Sequence, residues 1–363
     1  MNHIAFFCST PYHVLVATWL RFSSFRDTEA DMYLLDHFKD AQAIHHTLTD
    51  TQMFSQVKLL HNKKGIEDRL STSRPVKYLQ RISMQIWANR LVRKYLQLGD
   101  AAYDQVLLGS PVVTIQLALK VLYRRNPNLQ IHLFEDGFAG YHTDQWKAST
   151  VKKIFNRATG QHRYTDRYDS LLLFKPELFT GHIRIPVSQI PPIPQNNKAV
   201  KNLFNTIFRY TEQSAIREKV IFFEQPIQGI PELNNAVQNI IEHLPTENLL
   251  IKPHPRSTST DYGEIPVFHN RSVPWEIIGL NTDIEDKVLI SFFSTVAFSN
   301  KIIFDTEPVV ILLFEMEELK PLYTLPRNSR DFIYAFRDTY LHPERISFPR
   351  SRAELYDILT ALL

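Results

Sequence analysis

Short apolar runs alternate with amphipathic stretches along most of the chain. In the first half, this pattern predicts buried strands at 3–8, 31–36, 57–61, 103–109 and 129–134. The stretches between them predict helices at 37–49 and 112–123. Continuously apolar strands that alternate with helices are typical of a parallel sheet covered on both faces.

The alternation resumes after a proline-rich stretch at 185–197, which has no periodicity and resembles an interdomain linker. A chain of 363 residues is also too long for one typical core. We therefore predict α/β domains at 1–190 and 191–345 and a C-terminal helix within 346–363, for which packing against the first domain is one option. A cleft between two such domains is a common place for ligands. The second half predicts strands at 219–223, 249–252, 287–292 and 308–314, and helices at 233–243, 273–280, 295–303 and 353–363.

Composition narrows the class of protein and of partner. The net charge of +3 is too small to indicate nucleic acid as the main partner. Cys8 is the single cysteine, which fits a reducing compartment because no internal disulfide can form. The N-terminus lacks the pattern of a signal peptide, and no apolar run approaches the ~20 residues of a membrane-spanning helix. These features predict a cytoplasmic protein.

The stretch 67–98 is amphipathic and strongly basic. A solvated helix face is the simpler interpretation of this pattern. The alternative is a peripheral contact with the anionic inner face of a membrane.

An acidic pair followed by glycine, Glu135-Asp136-Gly137, comes directly after a predicted buried strand. The glycine lets the backbone turn sharply there. Adjacent side chains of an extended chain point in opposite directions, so only one carboxylate is expected to face a ligand. A partly desolvated carboxylate has a raised pKa that suits it to accept a proton from a hydroxyl. A helix N-cap or a solvated acidic turn is the alternative.

Another predicted strand leads into Lys252-Pro253-His254-Pro255-Arg256. The two prolines hold His254 stiffly at the carboxyl end of the strand, which is where open α/β sheets bind ligands. An imidazole between two cations indicates a site for the phosphate of a nucleotide. A solvated turn is the alternative interpretation.

Hydroxyl groups occur at two predicted strand-to-helix turns. Ser294 and Thr295 precede one helix, where hydroxyls and free amides bind phosphate or simply cap the helix. Ser9 and Thr10 precede another, with Thr10 as the predicted N-cap, and form a candidate anion or hydroxyl site. Glu276, in the first turn of its predicted helix, either accepts hydrogen bonds from a ribose or compensates the helix dipole.

Some motifs are missing from the sequence. It contains neither a G-x-x-x-x-G-K-[ST] loop nor a G-x-G-x-x-G fingerprint, which disfavours P-loop and dinucleotide chemistry. Its histidines are scattered, without the spacing of a strong metal site. We predict no metal and no cofactor.

Four of these motifs together resemble glycosyltransferase family 52, which contains bacterial lipooligosaccharide sialyltransferases and some capsule enzymes. The resemblance implies a GT-B fold, in which two Rossmann-like parallel-sheet domains face a central cleft. It also implies that the first domain binds the acceptor and the second holds CMP-sialic acid. The motifs are Cys8-Ser9-Thr10-Pro11, Glu135-Asp136-Gly137, Lys252-Pro253-His254-Pro255 and Ser294-Thr295.

The resemblance also implies roles for these residues. In related bacterial sialyltransferases, the first residue of the acidic-acidic-Gly motif is the base, and the His-Pro histidine contacts the donor phosphate. Carried over, Glu135 is the base, Asp136 is the second choice, and His254 stabilises the departing CMP. The other candidate residues, from the motifs and from the reasoning above, are Lys252, Pro255, Arg256, Glu276, Ser294 and Thr295 on the donor side, and Ser9, Thr10 and Gly137 on the acceptor side.

The function implied is that of an inverting, metal-independent sialyltransferase. It would move sialic acid from CMP-sialic acid to a terminal galactoside of a bacterial lipooligosaccharide or capsule. Two alternatives stay open: a glycosyltransferase of the same fold that uses another nucleotide sugar, and a non-catalytic protein that binds glycans or nucleotides. Some family members form dimers, so a homodimer is also open.

Overall fold

The chain divides into two compact units in the computed structural model. Unit 1 comprises Met1–Pro191 and Thr206–Phe208, and unit 2 comprises Pro192–Asn205 and Arg209–Leu363. The described residues are 3–36, 38, 40–61, 66, 70, 71, 73–137, 139–141, 153, 154, 156, 157, 162–165, 167–181, 185–225, 227, 229–245, 247–254, 257, 262–270, 273–294 and 296–363.

Unit 1 is built on a seven-stranded sheet in which neighbouring strands are parallel. Its strands are β1 (His3–Cys8), β2 (Glu29–Leu35), β3 (Gln56–Leu60), β4 (Gln105–Leu108), β5 (Gln130–Phe134), β6 (Ser170–Leu173) and β7 (Val187–Gln189). Their order across the sheet is β3-β2-β1-β4-β5-β6-β7. The central strands are almost wholly buried, because helices pack on the sheet.

The helices of unit 1 follow the predicted alternation. They are α1 (Pro11–Ser23), α2 (Ala41–Asp50), α3 (Arg74–Ile86), α4 (Ala88–Leu91), a π-helix (Val92–Leu96), α5 (Val113–Arg125) and the one-turn α6 (His162–Thr165). The described part of the amphipathic stretch 67–98 thus contains three consecutive helical pieces, α3, α4 and the π-helix.

The strand order places a topological switch point between β1 and β4. From β1 the chain continues outward to β2 and β3 on one side, and then returns to build β4 to β7 on the other. The carboxyl ends of β1, β4 and β5 therefore lie side by side at this edge. Open α/β sheets bind ligands at this position.

Unit 2 contains a five-stranded parallel sheet. Its strands are β8 (Val220–Phe223), β9 (Leu249–Lys252), β10 (Val288–Ser291), β11 (Val309–Leu312) and β12 (Ile346–Ser347), in the order β12-β11-β10-β8-β9. Because β8 lies between β10 and β9, residues that follow β8 can reach the loops after both neighbours. The helices are α7 (Lys198–Phe208), whose residues Thr206–Phe208 are grouped with unit 1, α8 (Pro231–Glu242), α9 (Trp275–Asn281), α10 (Val296–Phe304), α11 (Arg327–Arg337) and α12 (Arg352–Leu362).

The linker prediction at 185–197 is partly wrong, because β7 lies inside this stretch. The amide of Leu171 donates to Pro186 O at 2.9 Å, and that of Ile190 donates to Leu173 O at 2.7 Å. Proline is tolerated there because β7 is an edge strand.

The final helix, α12, is grouped with unit 2, where Lys219 Nζ donates to Leu362 O at 2.7 Å. Residues 37, 39, 67–69, 72 and 295, which fall within predicted helices, lie outside the described residues. No helix in the described part of the chain combines the length and apolar character needed to cross a bilayer.

Candidate active site

Glu135, directly after β5, is completely buried. The Tyr12 hydroxyl donates to Oε1 at 2.7 Å, and the Tyr141 hydroxyl donates to Oε2 at 2.7 Å. The Phe174 amide also donates to Oε2, at 2.8 Å. Burial raises the pKa of Glu135 to about 7, although the three donors favour the charged form. Glu135 thus joins α1, the turn Ala139–Tyr141 and the segment after β6, and it presents no surface to a ligand.

Asp136 lies in a different environment from its neighbour. Its side chain is 24% exposed, and its Oδ1 lies 2.5 Å from His13 Nε2. His13, in the first turn of α1, is fully buried, and its Nδ1 lies 3.1 Å from Ser9 Oγ. Of the two adjacent carboxylates, only that of Asp136 is exposed, and the prediction that one of them faces a ligand stays a prediction.

The imidazole of His13 occupies space that only a glycine leaves open. Gly109 follows β4, and a Cβ added there would lie 2.4 Å from His13 Nε2 and 2.5 Å from Cδ2. Neither His13 nor Gly109 was predicted as a site residue. The available sequence signal was a buried strand that ends in glycine, which often marks a close approach of another group.

The acceptor-side residues of the sequence prediction shape this region. Ser9 is buried, and its amide and hydroxyl both lie against His13 Nδ1. Thr10 is confirmed as the N-cap of α1, because its hydroxyl accepts from the His13 amide at 3.1 Å. Gly137 has φ +68°, which confirms that the glycine allows a sharp turn. A contact between these residues and an acceptor stays a prediction.

In unit 2, the loop that carries His254 is held by Glu224, which follows β8. The His254 amide donates to Glu224 Oε2 at 3.0 Å, and the Ser257 hydroxyl donates to Oε1 at 2.7 Å. The Ser257 amide also closes a turn onto His254 O at 2.9 Å. The backbone of the histidine loop is therefore fixed from the neighbouring strand.

Gln225 holds the loop on the other side of β8. Its Oε1 accepts from the Phe293 amide at 3.0 Å. Within the same loop, the Ser294 amide donates to Ser291 Oγ at 3.1 Å, and Ser294 Oγ lies 3.4 Å from the Val296 amide at the start of α10. Glu224 and Gln225 together position two loops that sequence reasoning had treated separately. Neither residue was predicted, although their place directly after a central strand was a usable signal.

Lys252 and Glu276 lie close together but are both largely buried, at 8% and 9% exposure. Burial raises the pKa of Glu276, while its own backbone amide, the charge of Lys252 and the Ser299 hydroxyl favour the carboxylate. Lys252 Nζ also lies 5.0 Å from the ring centre of Phe268. Donor contacts by Lys252 and Glu276 stay predictions.

Three predicted donor-side residues, Pro255, Arg256 and Thr295, lie outside the described residues. Among the side chains that the structure does describe, no group of three or more His, Cys, Asp and Glu residues comes together as a metal site would require.

Comparison with known proteins identifies the family and the fold. A family model described as Alpha-2,8-polysialyltransferase (POLYST) matches residues 4–313. No curated protein sequence is significantly similar to the chain. The match confirms the sialyltransferase part of the resemblance, and the narrower assignment to glycosyltransferase family 52 stays a prediction.

Two solved structures share the architecture. The glycotransferase of kitacinnamycin is 11% identical, with a TM-score of 0.54, and the match covers 99% of this chain and 90% of that one. Arabidopsis thaliana UGT89C1, complexed with UDP, is 10% identical, with a TM-score of 0.54, and the match covers 99% and 89%. At these identities the likeness shows the fold alone, and it confirms the predicted α/β GT-B class.

Proposed function

Because the chain belongs to the alpha-2,8-polysialyltransferase family, we propose that it transfers sialic acid from CMP-sialic acid in an inverting, metal-independent reaction. The first unit would bind the acceptor glycan and the second would bind the donor. The observation that carries the proposal is an accessible carboxylate, Asp136, backed by a buried histidine at the switch point of the first sheet.

Asp136 is the proposed general base. A base must come within hydrogen-bonding distance of the hydroxyl from which it takes a proton. Asp136 has exposed surface, whereas Glu135, the first choice from the sequence, has none and already accepts three hydrogen bonds. His13 does not touch substrate in this scheme and acts as a positioning residue that holds the Asp136 carboxylate.

The bond changes follow from this assignment. As Asp136 takes the proton of the acceptor hydroxyl, the hydroxyl oxygen attacks the anomeric carbon of sialic acid from the face opposite CMP. The bond from that carbon to the phosphate oxygen breaks, and its electron pair leaves with CMP. His254 would stabilise the phosphate charge, assisted by Lys252, Arg256, Ser294 and Thr295.

The family description suggests a terminal sialic acid as the acceptor, with the new linkage at its 8-hydroxyl. The terminal galactoside predicted from the sequence is the alternative. The biological setting we propose is a bacterial lipooligosaccharide or capsule glycan, as in glycosyltransferase family 52, extended at the cytoplasmic face of the membrane.

The direct test is CMP release from CMP-sialic acid by the purified protein in EDTA, with oligosialic acid, a lactose-type acceptor or no acceptor. Release stimulated by oligosialic acid supports the proposal, and stimulation by lactose alone moves the acceptor to galactose. Thermal stabilisation by UDP without CMP release would move the donor to another nucleotide sugar. Neither release nor stabilisation by any nucleotide would favour the non-catalytic binding protein.

A further inference from the structure

We propose that the helical segment Arg74–Leu96 docks unit 1 onto an anionic phospholipid membrane. The segment comprises α3, α4 and the π-helix, which follow one another along the chain. The proposal concerns where the protein works, and it holds whether or not the proposed reaction is correct.

One face of the segment exposes large apolar side chains. The exposed fractions are 44% for Val76, 65% for Leu79, 73% for Ile86 and 59% for Trp87. At 100° per residue Val76, Leu79 and Ile86 fall on one side of α3, and Trp87 follows as its C-cap; we call these four residues the apolar stripe. Seven large hydrophobic residues are exposed in the described part of the chain, and four of them belong to this stripe. Such a concentration marks an interaction surface, whereas scattered single residues do not.

The opposite face of the segment is anchored on unit 1. Met84, Ala88 and Val92 are buried, and Lys120 Nζ, from α5, donates to Gln85 O. The helix therefore already has a packed side. The apolar stripe faces away from it and cannot be explained as this helix's contribution to the core.

Cations continue from the end of the stripe. Arg90 lies one helical turn after Ile86, and Arg93 and Lys94 follow in the π-helix, all three exposed. Positive residues beside an exposed apolar face are typical of helices that lie in the interface of an anionic bilayer.

A cavity of about 520 Å³ opens at the same end of the segment. Arg93, Arg124 and Arg125 line it, and Arg125 is held in place because it donates to Gly99 O at 2.7 Å and Ala101 O at 2.8 Å. Asp100 also lines the cavity but forms no salt bridge with any of these arginines, all of which the structure describes. Three guanidinium groups suit the phosphate of a lipid headgroup.

The apolar stripe and the neighbouring arginines together favour a membrane over a soluble glycan or a second copy of the chain as the binding partner. A soluble acidic glycan would use the arginines but would leave the apolar stripe in water. A second copy of the chain could cover the stripe, but it would bring two clusters of like charge together. An anionic bilayer accepts apolar side chains below its headgroups and attracts the cations at its surface, so it satisfies both features.

The test is co-sedimentation of the full chain with vesicles of phosphatidylcholine alone and of phosphatidylcholine mixed with phosphatidylglycerol. We expect binding to the mixed vesicles, weakening as salt is added because surface charge is screened. The variant with Leu79→Ser, Ile86→Ser and Trp87→Ser should bind the mixed vesicles at least about tenfold more weakly. The matched control is Leu341→Ser, because Leu341 is 85% exposed but lies in unit 2, and it should bind as the wild type does.

A second variant tests the cations separately. Arg90→Glu, Arg93→Glu and Arg124→Glu together should remove the preference for phosphatidylglycerol and lower binding by about tenfold or more. Circular dichroism of each variant confirms that it is folded.

Three results would overturn the proposal. One is equal binding to neutral and anionic vesicles, or no binding to either at low salt. Another is that the wild type is a dimer in analytical ultracentrifugation, the serine variant is a monomer, and lipid vesicles do not change the oligomeric state of either. That result would assign the stripe to a second copy of the chain. The last is that the wild type and the serine variant bind a soluble acidic polysaccharide equally well and neither binds vesicles. That result would assign the cations to a glycan.

Discussion

The two groups of candidate residues lie at the carboxyl ends of two parallel sheets, but they are built differently. In unit 1, a buried side chain, Glu135, is the centre of the hydrogen-bond network, and the accessible Asp136 stands beside it. In unit 2, two side chains directly after a central strand, those of Glu224 and Gln225, hold the backbone of two loops. In unit 1 the anchoring side chain and the exposed candidate are adjacent carboxylates, whereas in unit 2 the anchoring side chains follow the strand and the candidate residues lie in the loops.

The largest effect that we expect is that of Asp136→Asn. The amide cannot accept the acceptor proton, so turnover should fall by about a thousandfold, within the usual range for loss of a general base. The melting temperature should stay close to that of the wild type, since Asp136 is partly exposed. Steady-state kinetics and calorimetry measure the two quantities.

Glu135→Gln is the matched variant for this comparison. An amide nitrogen cannot accept the hydrogen bonds that Glu135 receives, so stability should fall, while turnover by the folded fraction should change much less. If Glu135→Gln instead abolished turnover without a loss of stability, the base would be Glu135 and our assignment of Asp136 would be wrong.

The next effect is on the pH dependence of stability. The pKa of Glu135 is about 7 in the folded protein, against an ordinary value of 4.5. Below pH 4.5 the carboxyl is protonated in both the folded and the unfolded protein, and its burial destabilises the fold least. As the pH rises through 7 the free energy of unfolding falls, because burial disfavours ionisation of Glu135 in the folded protein. The total loss is about 3 kcal/mol.

The measurement is urea unfolding of the wild type and of Glu135→Gln across this pH window. The variant has no titrating group at this position, so the difference between the two unfolding free energies isolates the contribution of Glu135. A difference that stays constant with pH would show that Glu135 does not titrate as its burial implies.

Gly109→Ala should act through His13. The added methyl group would collide with the imidazole at 2.4 Å, displace it from Asp136 and lower turnover by about ten- to a hundredfold, mainly in kcat. Gly140→Ala is the control, since its Cβ would meet the nearest atom at 3.7 Å, an ordinary contact. Equal activities of the two variants would remove His13 from the mechanism as a positioning residue.

The smallest effect is expected for Glu224→Gln, which keeps one acceptor oxygen and loses the other. We expect the Kd for CMP, measured by calorimetry, to rise by about tenfold, while the KM for the acceptor stays unchanged. Lys219→Gln, at the amino end of the same strand region, is the control for a general effect on unit 2. A change in acceptor KM with an unchanged CMP affinity would contradict the proposal that the loop held by Glu224 binds the donor.

Most of the fold follows from apolar periodicity, and the elements that were missed have a physical reason. Strands β1 and β9 match their predicted bounds because they are continuously apolar and end at polar residues or proline. The strand β7 is short, polar and beside prolines, so it has no periodic signal of its own. The strand β6 is an apolar run as long as β9, and the sequence analysis did not assign it. Both strands form because they pair with the strand beside them in the sheet, β6 with β5 and β7 with β6.

The position of the candidate site could be predicted from the sequence, but the roles of its two carboxylates could not. The acidic pair was found because it follows a buried strand, but the exposure of each carboxylate is set by distant residues. His13 and Tyr12 lie 123 positions from their partners Asp136 and Glu135, and no local pattern connects them. Only the strand order, which places the ends of β1, β4 and β5 together, brings these residues into contact.

The anchoring of the two loops in unit 2 has a consequence for how such an enzyme can change. Glu224 and Gln225 bind the main-chain amides of His254 and Phe293, which every non-proline residue provides. Apart from Ser257 and, at the end of β10, Ser291, whose hydroxyls are part of the anchoring, side chains in these loops can therefore be exchanged while the loop backbone keeps its place. On the proposed function, a library that varies the loops but keeps this dipeptide, His254 and Ser257 should retain folded proteins and change donor preference, which makes unit 2 the better starting point for changing the transferred sugar.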